Sequence, residues 1–196
     1  MLVQTQGIVT KIIPYQESSS IVNVYTEAFG MKSYLIRGGR KKNATVRSSL
    51  FQPLQTLNLV VYNNEKNTLQ QIKEVSVAFD NNNIAMDIVR TTLAFFITEV
   101  LNLSIKEENQ DLALYEFIKQ TIISLNTIES TRLKDFHLHF LFDFAKYLGF
   151  EPMEISLETS SKQERNDVLS KLIYFYQEHI TNQRPIQSQQ ILSTIL

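Results

Sequence analysis

A chain of 196 residues, 43% hydrophobic and 20% charged, with 4 prolines and 5 glycines, can form one large domain or two small ones and excludes long disordered stretches. It has no cysteine, which excludes disulfides, a thiol nucleophile and every cysteine-ligated zinc or iron–sulfur site. The net charge of −1 conceals a division: residues 1–79 carry 9 Lys and Arg against 4 Asp and Glu (+5), and residues 80–196 carry 10 against 16 (−6), so the first part suits an anionic polymer and the second does not.

The opening "MLVQTQGIVTKIIPY" lacks the charged segment and apolar core of a secretory leader. "QGIVTKII" and "SIVNVYTE" are rich in β-branched and aromatic residues and read as strands, joined by "PYQESS". "EAFGMKSYLIRG" reads as a turn at Phe29-Gly30 leading into a third strand. "LQTLNLVVY" is a fourth, with Leu57, Leu59 and Val61 on one face, and "LQQIKEVSV" a fifth, with Leu69, Ile72, Val75 and Val77 as its apolar members. Five short strands in under 80 residues predict a small barrel, which removes the exposed edges that invite aggregation.

The period changes after Phe79. Asn81, Asn82 and Asn83 offer an N-cap, Asp87 falls in the first turns, and Ile84, Ile88, Leu93, Phe96, Val100 and Leu103 recur at helical spacing. "LAFFITEVLNL" is the most apolar run, but it is short and Glu99 interrupts it, so no membrane span is expected and the protein reads as cytoplasmic. A second helix carries Leu114, Phe117, Ile118, Ile122 and Leu125. A third, "RLKDFHLHFLFDFAKYLGF", stops at Gly149 with Pro152 just beyond. Ser161 and Glu164 have capping-box spacing at the start of a fourth, and "SQQILSTIL" is a short last helix. The expected division is a barrel over 1–79 and an antiparallel helical bundle over 80–196.

Between the third and fourth strands lie Arg37, Arg40, Lys41, Lys42 and Arg47 with no acid among them. Such a loop can neutralise the phosphates of a nucleic acid, a salt-sensitive and sequence-blind interaction; the plain alternative is a solvated loop. Of the aromatic residues nearby, Tyr25 and Phe29 read as core, while Tyr34 and Tyr15 stand as candidates to stack on bases. His137 and His139 are two apart, which on a helix turns their rings about 200° from each other, whereas helical zinc pairs use i,i+4. No metal site and no cofactor are expected. Neither a Walker loop nor a nucleophile elbow nor an activated serine is present, so the expected role is not enzymatic.

Several stretches together resemble the RecO family of bacterial recombination mediators. They are carried by Gly7, Ile8 and Val9; Tyr15, Glu17, Ser18, Ser19, Ile21 and Val22; Thr26, Glu27 and Gly30; Arg37, Gly38 and Arg40; and Leu50, Gln52, Pro53 and Leu54. "FHLHFLFDFAKYLGFEP" is similar to that family's central helix, and "LSKLIYFYQEHI" with "QSQQILSTIL" to its C-terminal helices. Where many members hold four zinc-binding cysteines, this chain has "MEISLETSS". The resemblance implies an α+β protein of two domains, an N-terminal five-stranded OB-fold barrel followed by an all-α bundle.

The resemblance also implies a nucleoid-associated DNA repair and recombination mediator. Such a protein binds single- and double-stranded DNA, promotes strand annealing and, with RecR, helps load RecA onto DNA coated by single-strand-binding protein. Arg37, Arg40, Lys41, Lys42, Arg47 and Tyr34 are then the DNA-binding candidates. The bundle would take the acidic C-terminal tail of single-strand-binding protein, which needs an apolar surface beside a cation. Phe142 with Arg132, Lys134, Lys146 or Arg165 are the candidates, although the stripe Phe136, Phe140, Phe142 and Phe144 is mainly core. The rival readings are a general RNA-binding OB module and an adaptor that contacts an acidic protein.

Overall fold

The computed structural model describes residues 1–17, 19–37, 48–64, 66–105 and 109–196. These form two compact units, Met1–Asn81 with Ile105–Gln120, and Asn82–Ser104 with Thr121–Leu196. These units depart from a division after residue 79: the first runs on to Asn81, and residues 105–120, which the helical period assigns to the bundle, group with the strands.

Five strands, β1 (Leu2–Gln16), β2 (Ser19–Thr26), β3 (Gly30–Arg37), β4 (Thr56–Tyr62) and β5 (Leu69–Val77), close into a barrel in the order β1-β2-β3-β5-β4. This is the Greek-key barrel of the OB-fold. The long β1 makes closure possible. Its first half, Leu2–Ile8, pairs with β4, and its second half, Gly7–Gln16, pairs with β2. The strand can serve two neighbours because a bulge at Thr10 bends it between them. Gly7 sits where both pairings overlap, and a Cβ there would lie 2.5 Å from Val24 Cγ1 and 3.1 Å from Leu59 Cδ1, so only glycine lets the three strands approach. A parallel pairing, Ser33–Leu35 of β3 with Leu69–Gln71 of β5, completes the circle.

Alternation decides the core. Leu57, Leu59 and Val61 of β4 point inward with Val9, Val22, Val24, Tyr34, Ile36 and Phe51. Phe29 and Val75 pack against them, half-buried. Tyr25 is buried and stacks on Tyr115, ring centroids 6.3 Å apart.

The helical unit contains α1 (Asn82–Met86), α2 (Ile88–Ser104), the second part of α3 (Leu112–Thr127), a 3-10 turn (Ser130–Asp135), α4 (Phe136–Tyr147), α5 (Lys162–His179) and α6 (Gln189–Ile195). Two starts differ from expectation. Asp87 does not decorate the first turns of one long helix; its Oδ1 accepts hydrogen bonds from the Val89 and Arg90 amides at 2.8 and 3.1 Å, so it ends α1 and caps α2. The segment before Phe136 is a 3-10 turn rather than α-helix.

Two ends match it. Gly149, at φ +83°, closes α4 in a Schellman motif, its amide donating to Lys146 O at 3.0 Å and that of Phe150 to Ala145 O at 2.9 Å. Ser161 Oγ accepts from the Glu164 amide at 3.1 Å and caps α5. Among the described residues, no helix is long and apolar enough to cross a membrane.

Candidate nucleic-acid interface

The strands set where the basic segment leaves the barrel. β2 and β3 pair from Thr26↔Gly30 to Ser19↔Arg37, and β1 adds Gln16 beside Ser19. Arg37 is thus the last residue of β3, and it is exposed. Arg40, Lys41, Lys42 and Arg47 follow it and lie outside the described residues.

Tyr34 requires a correction. It is 1% exposed and sits opposite Val22 on the inner face of the barrel, within the core. Burial pushes its hydroxyl well above the usual tyrosine range. A ring in that position fills the barrel and has no face to offer a base. Tyr15 differs: it is 53% exposed, and it sits in a second bulge of β1, where Pro14 pairs with Ser20 and Gln16 with Ser19.

The five residues expected to take a protein tail do not gather at one point. Arg132 and Lys134 are exposed on the 3-10 turn that precedes α4. Arg165 is already engaged: its Nε lies 3.7 Å from Asp135 Oδ1 and its Nη2 donates to Leu196 O at 3.2 Å. These lie toward the start of α4, whereas Lys146 is 11 positions beyond Asp135, about 16 Å along the helix at 1.5 Å per residue. Lys146 Nζ stands 4.3 Å from the centre of the Phe142 ring and 3.7 Å from Asp143 Oδ1, with Phe142 half-buried and Lys146 exposed.

The two histidines of α4 face apart, His137 buried and His139 exposed. Among the described residues no three His, Asp or Glu side chains come together as a metal-binding group.

Two charged residues have structural roles that local sequence pattern does not reveal. Arg90 is buried on α2, and its guanidinium donates to Leu125 O and, at 2.5 Å, to Ile128 O, so a cation closes the C-terminal end of α3. Glu99, the residue that breaks the apolar run of α2, accepts from the Gln187 and Ser188 amides at 2.8 and 2.9 Å and from Ser188 Oγ, fixing the start of α6. Both partners lie far along the chain, so only an unexpected charge on an apolar face hints at either.

Two family models match successive parts of the chain. The model for the N-terminal part of recombination protein O covers residues 1–79, and that for its C-terminal part covers residues 85–156. The chain is similar to the DNA repair protein RecO of Flavobacterium psychrophilum, 35% identical over 153 residues, which is 78% of this chain and 63% of that protein. With the RecO of Flavobacterium johnsoniae it shares 32% over 185 residues, 93% of this chain and 77% of that protein. With that of Bacteroides fragilis strain ATCC 25285 it shares 34% over 152 residues, 78% of this chain and 62% of that protein. The chain thus matches less than two thirds of the length of the first and third of these relatives.

Proposed function

The chain belongs to the RecO family, and on that premise we propose that it is a recombination mediator that binds single- and double-stranded DNA and anneals strands. With RecR, it helps load RecA onto DNA coated by single-strand-binding protein. The observation that carries the DNA-binding part is the exit of β3: the OB barrel ends that strand on exposed Arg37, and the next ten residues add Arg40, Lys41, Lys42 and Arg47 without an acid. In OB barrels the face of strands 2 and 3, with the loops between strands 1–2 and 4–5, is the usual nucleic-acid surface, and Arg37 ends one of those strands. The residues 1–79 that match the N-terminal family model also hold the +5 charge.

The partner reading rests on the helical unit. Lys146 over the Phe142 ring offers a cation beside an aromatic surface, which is what a peptide ending in an apolar residue and a carboxylate requires. Both cations have a carboxylate 3.7 Å away, but the Lys146 side chain is 43% exposed and that of Arg165, also bonded to Leu196 O, only 12%, so Arg165 is the weaker candidate. The role is non-catalytic.

Replacing Arg40, Lys41 and Lys42 with Ala tests the DNA reading. Single-stranded DNA binding should weaken, and the slope of log affinity against log salt should fall by about 0.7 for each phosphate that the protein no longer neutralises. An unchanged slope would place the DNA elsewhere. Binding of RNA in preference to DNA of the same sequence would favour the RNA-module reading, because only RNA offers the 2′-hydroxyl.

A further inference from the structure

The helical unit presents an apolar surface built from two helices. Ile88 and Phe95 of α2 are 71% and 55% exposed, and, being seven residues apart, they lie on one side of the helix two turns from each other. Glu99, one turn beyond Phe95 on that side, holds the start of α6 through Ser188, so α6 adjoins the same side of α2. Ile191 and Ile195, four apart on α6, are exposed as well, Ile191 at 55%. The helix that carries them is fixed at both ends. Glu99 secures its start, and at its end Lys162 Nζ donates to Thr194 O at 3.1 Å and Arg165 Nη2 to Leu196 O at 3.2 Å. Four large apolar side chains thus stand in water on a fixed pair of helices, which is the mark of a contact surface.

Charge says what kind of contact. In the whole chain 20% of the residues are charged, yet residues 82–98 hold only Asp87 and Arg90, and residues 187–196 hold none. Those two are engaged with each other and with helix ends: Arg90 Nε lies 3.8 Å from Asp87 Oδ2, the Arg90 guanidinium closes α3, and Asp87 caps α2. The face therefore offers no cation to a phosphate backbone or to an acidic peptide. It belongs to the acidic part of the chain, residues 80–196 with their −6, and acidic surfaces of two copies repel. A two-fold axis lays a surface onto itself, so charges near the axis meet their own kind. An apolar face without free charge avoids that cost, and charge-poor apolar surface is what the centre of a subunit contact requires. Gln187 and Gln190, exposed beside it, can each donate and accept, so they can pair across such an axis.

We infer that the α2–α6 face is a contact between two copies of this chain, and that the pair is what brings two single strands together for annealing. This rests on the DNA-binding and annealing reading above and adds the second strand to it. One chain has one barrel and one basic segment, between β3 and β4, whereas annealing needs two strands held at once. Two copies joined through an uncharged face supply two barrels and use no cation of either in the contact. Each strand is then at a high effective concentration beside the other, which is the gain that joining two binding modules brings.

The experiment uses the full chain. Sedimentation velocity across a concentration series should show the parent passing from monomer to dimer. Phe95→Glu and Ile191→Glu should each raise the dimer dissociation constant by on the order of 100-fold, because a two-fold contact contains every substitution twice. Tyr174→Glu, on α5 and 65% exposed, controls for added charge and should leave that constant within about twofold. With complementary oligonucleotides, the two contact variants should bind one single strand within about twofold of the parent and anneal the pair roughly tenfold more slowly. The proposal is overturned if the parent stays monomeric at every concentration, or if Phe95→Glu and Ile191→Glu, both folded by thermal melting, dimerise as the parent does. It is equally overturned if Tyr174→Glu weakens the dimer as much as they do, or if the monomeric variants anneal at the parent's rate. An acidic peptide ending in an apolar residue and a carboxylate that bound the parent but not Phe95→Glu would assign the face to a protein tail and overturn it too. If the variants dissociate the dimer but the parent binds no oligonucleotide, the DNA reading has failed and the contact between copies stands without it.

Discussion

Acidification should destabilise the helical unit through His137. That residue is 3% exposed on α4, edge-on to the Phe96 ring at a centroid distance of 6.4 Å, and its Nδ1 has no hydrogen-bond partner among the described residues. Burial first, then the Arg165 guanidinium and His139, hold its pKa down to about 4 against 6.5 for an ordinary histidine. A base with a lowered pKa stays neutral in the folded protein while the unfolded chain takes up a proton. The stability it protects is whole above pH 6.5 and is lost as pH falls through 6.5 toward 4. The loss is roughly 2 kcal/mol between pH 7 and pH 5 and approaches about 3 kcal/mol below pH 4. Urea unfolding of the parent and of His137→Leu at both pH values measures it. Carboxylates elsewhere titrate in both proteins and cancel in the comparison, so relative to the parent the variant should gain roughly 2 kcal/mol between pH 7 and pH 5. Parallel stability curves for the two proteins would refute the argument, because they would mean that His137 is charged in the folded state or free to reach water.

Gly7→Ala should cost about 1–3 kcal/mol by denaturant titration, since the new methyl meets Val24 Cγ1 at 2.5 Å in a closed barrel. Arg90→Met should cost about 2–4 kcal/mol, because the carbonyls of Leu125 and Ile128 lose their charged donor inside the protein. Lys146→Glu should weaken capture of an acidic peptide ending in an apolar residue and a carboxylate, measured by fluorescence anisotropy, while leaving single-stranded DNA binding within about twofold; equal damage to both would mean that the two sites are not separable.

Strands and helices were legible where one face is buried and the pattern is regular. Leu57, Leu59 and Val61 alternate with Asn58, Val60 and Tyr62, and β4 lies where that alternation puts it. The helix signals at Gly149 and Ser161 are local chemistry and needed no tertiary context. Tyr34 was not legible, for a physical reason. It stands in Tyr34-Leu35-Ile36, three apolar residues in a row, so alternation cannot say which way β3 faces; the pairing of Tyr34 with Val22 decides it. Tyr15 was equally ambiguous, because a bulge leaves no mark on a hydrophobic pattern. Arg90 and Glu99 act on backbone 35 and 88 residues away, distances across which periodicity is silent. The basic segment is the opposite case: five cations without an acid are plain in the sequence, although four of them lie outside the described residues.

The grouping of residues 105–120 with the strands has a consequence for how the barrel can be studied alone. Tyr115, in the first part of α3, is 1% exposed and stacks on Tyr25 of β2. A fragment of residues 1–79 lacks Tyr115, so it exposes the Tyr25 ring, in a barrel that buries little surface to begin with. The same pair can be tested in the whole chain, where two substitutions separate packing from polarity. Tyr115→Ala removes the ring from a buried site and should cost about 3–5 kcal/mol. Tyr115→Phe keeps the ring and removes a hydroxyl that is buried with no hydrogen-bond partner among the described residues. Burial, with Glu27 and then Glu116 adding to it, pushes that hydroxyl well above the usual tyrosine range, so it is a neutral and unpaired polar group. Deleting such a group relieves a desolvation cost instead of breaking a bond, and the variant should match the parent or exceed it by up to about 1 kcal/mol. Thermal and urea unfolding of both variants decide the matter. A Tyr115→Phe variant destabilised by more than about 1 kcal/mol would mean that the hydroxyl has a partner, and the account of Tyr115 as a packing residue would fall with it.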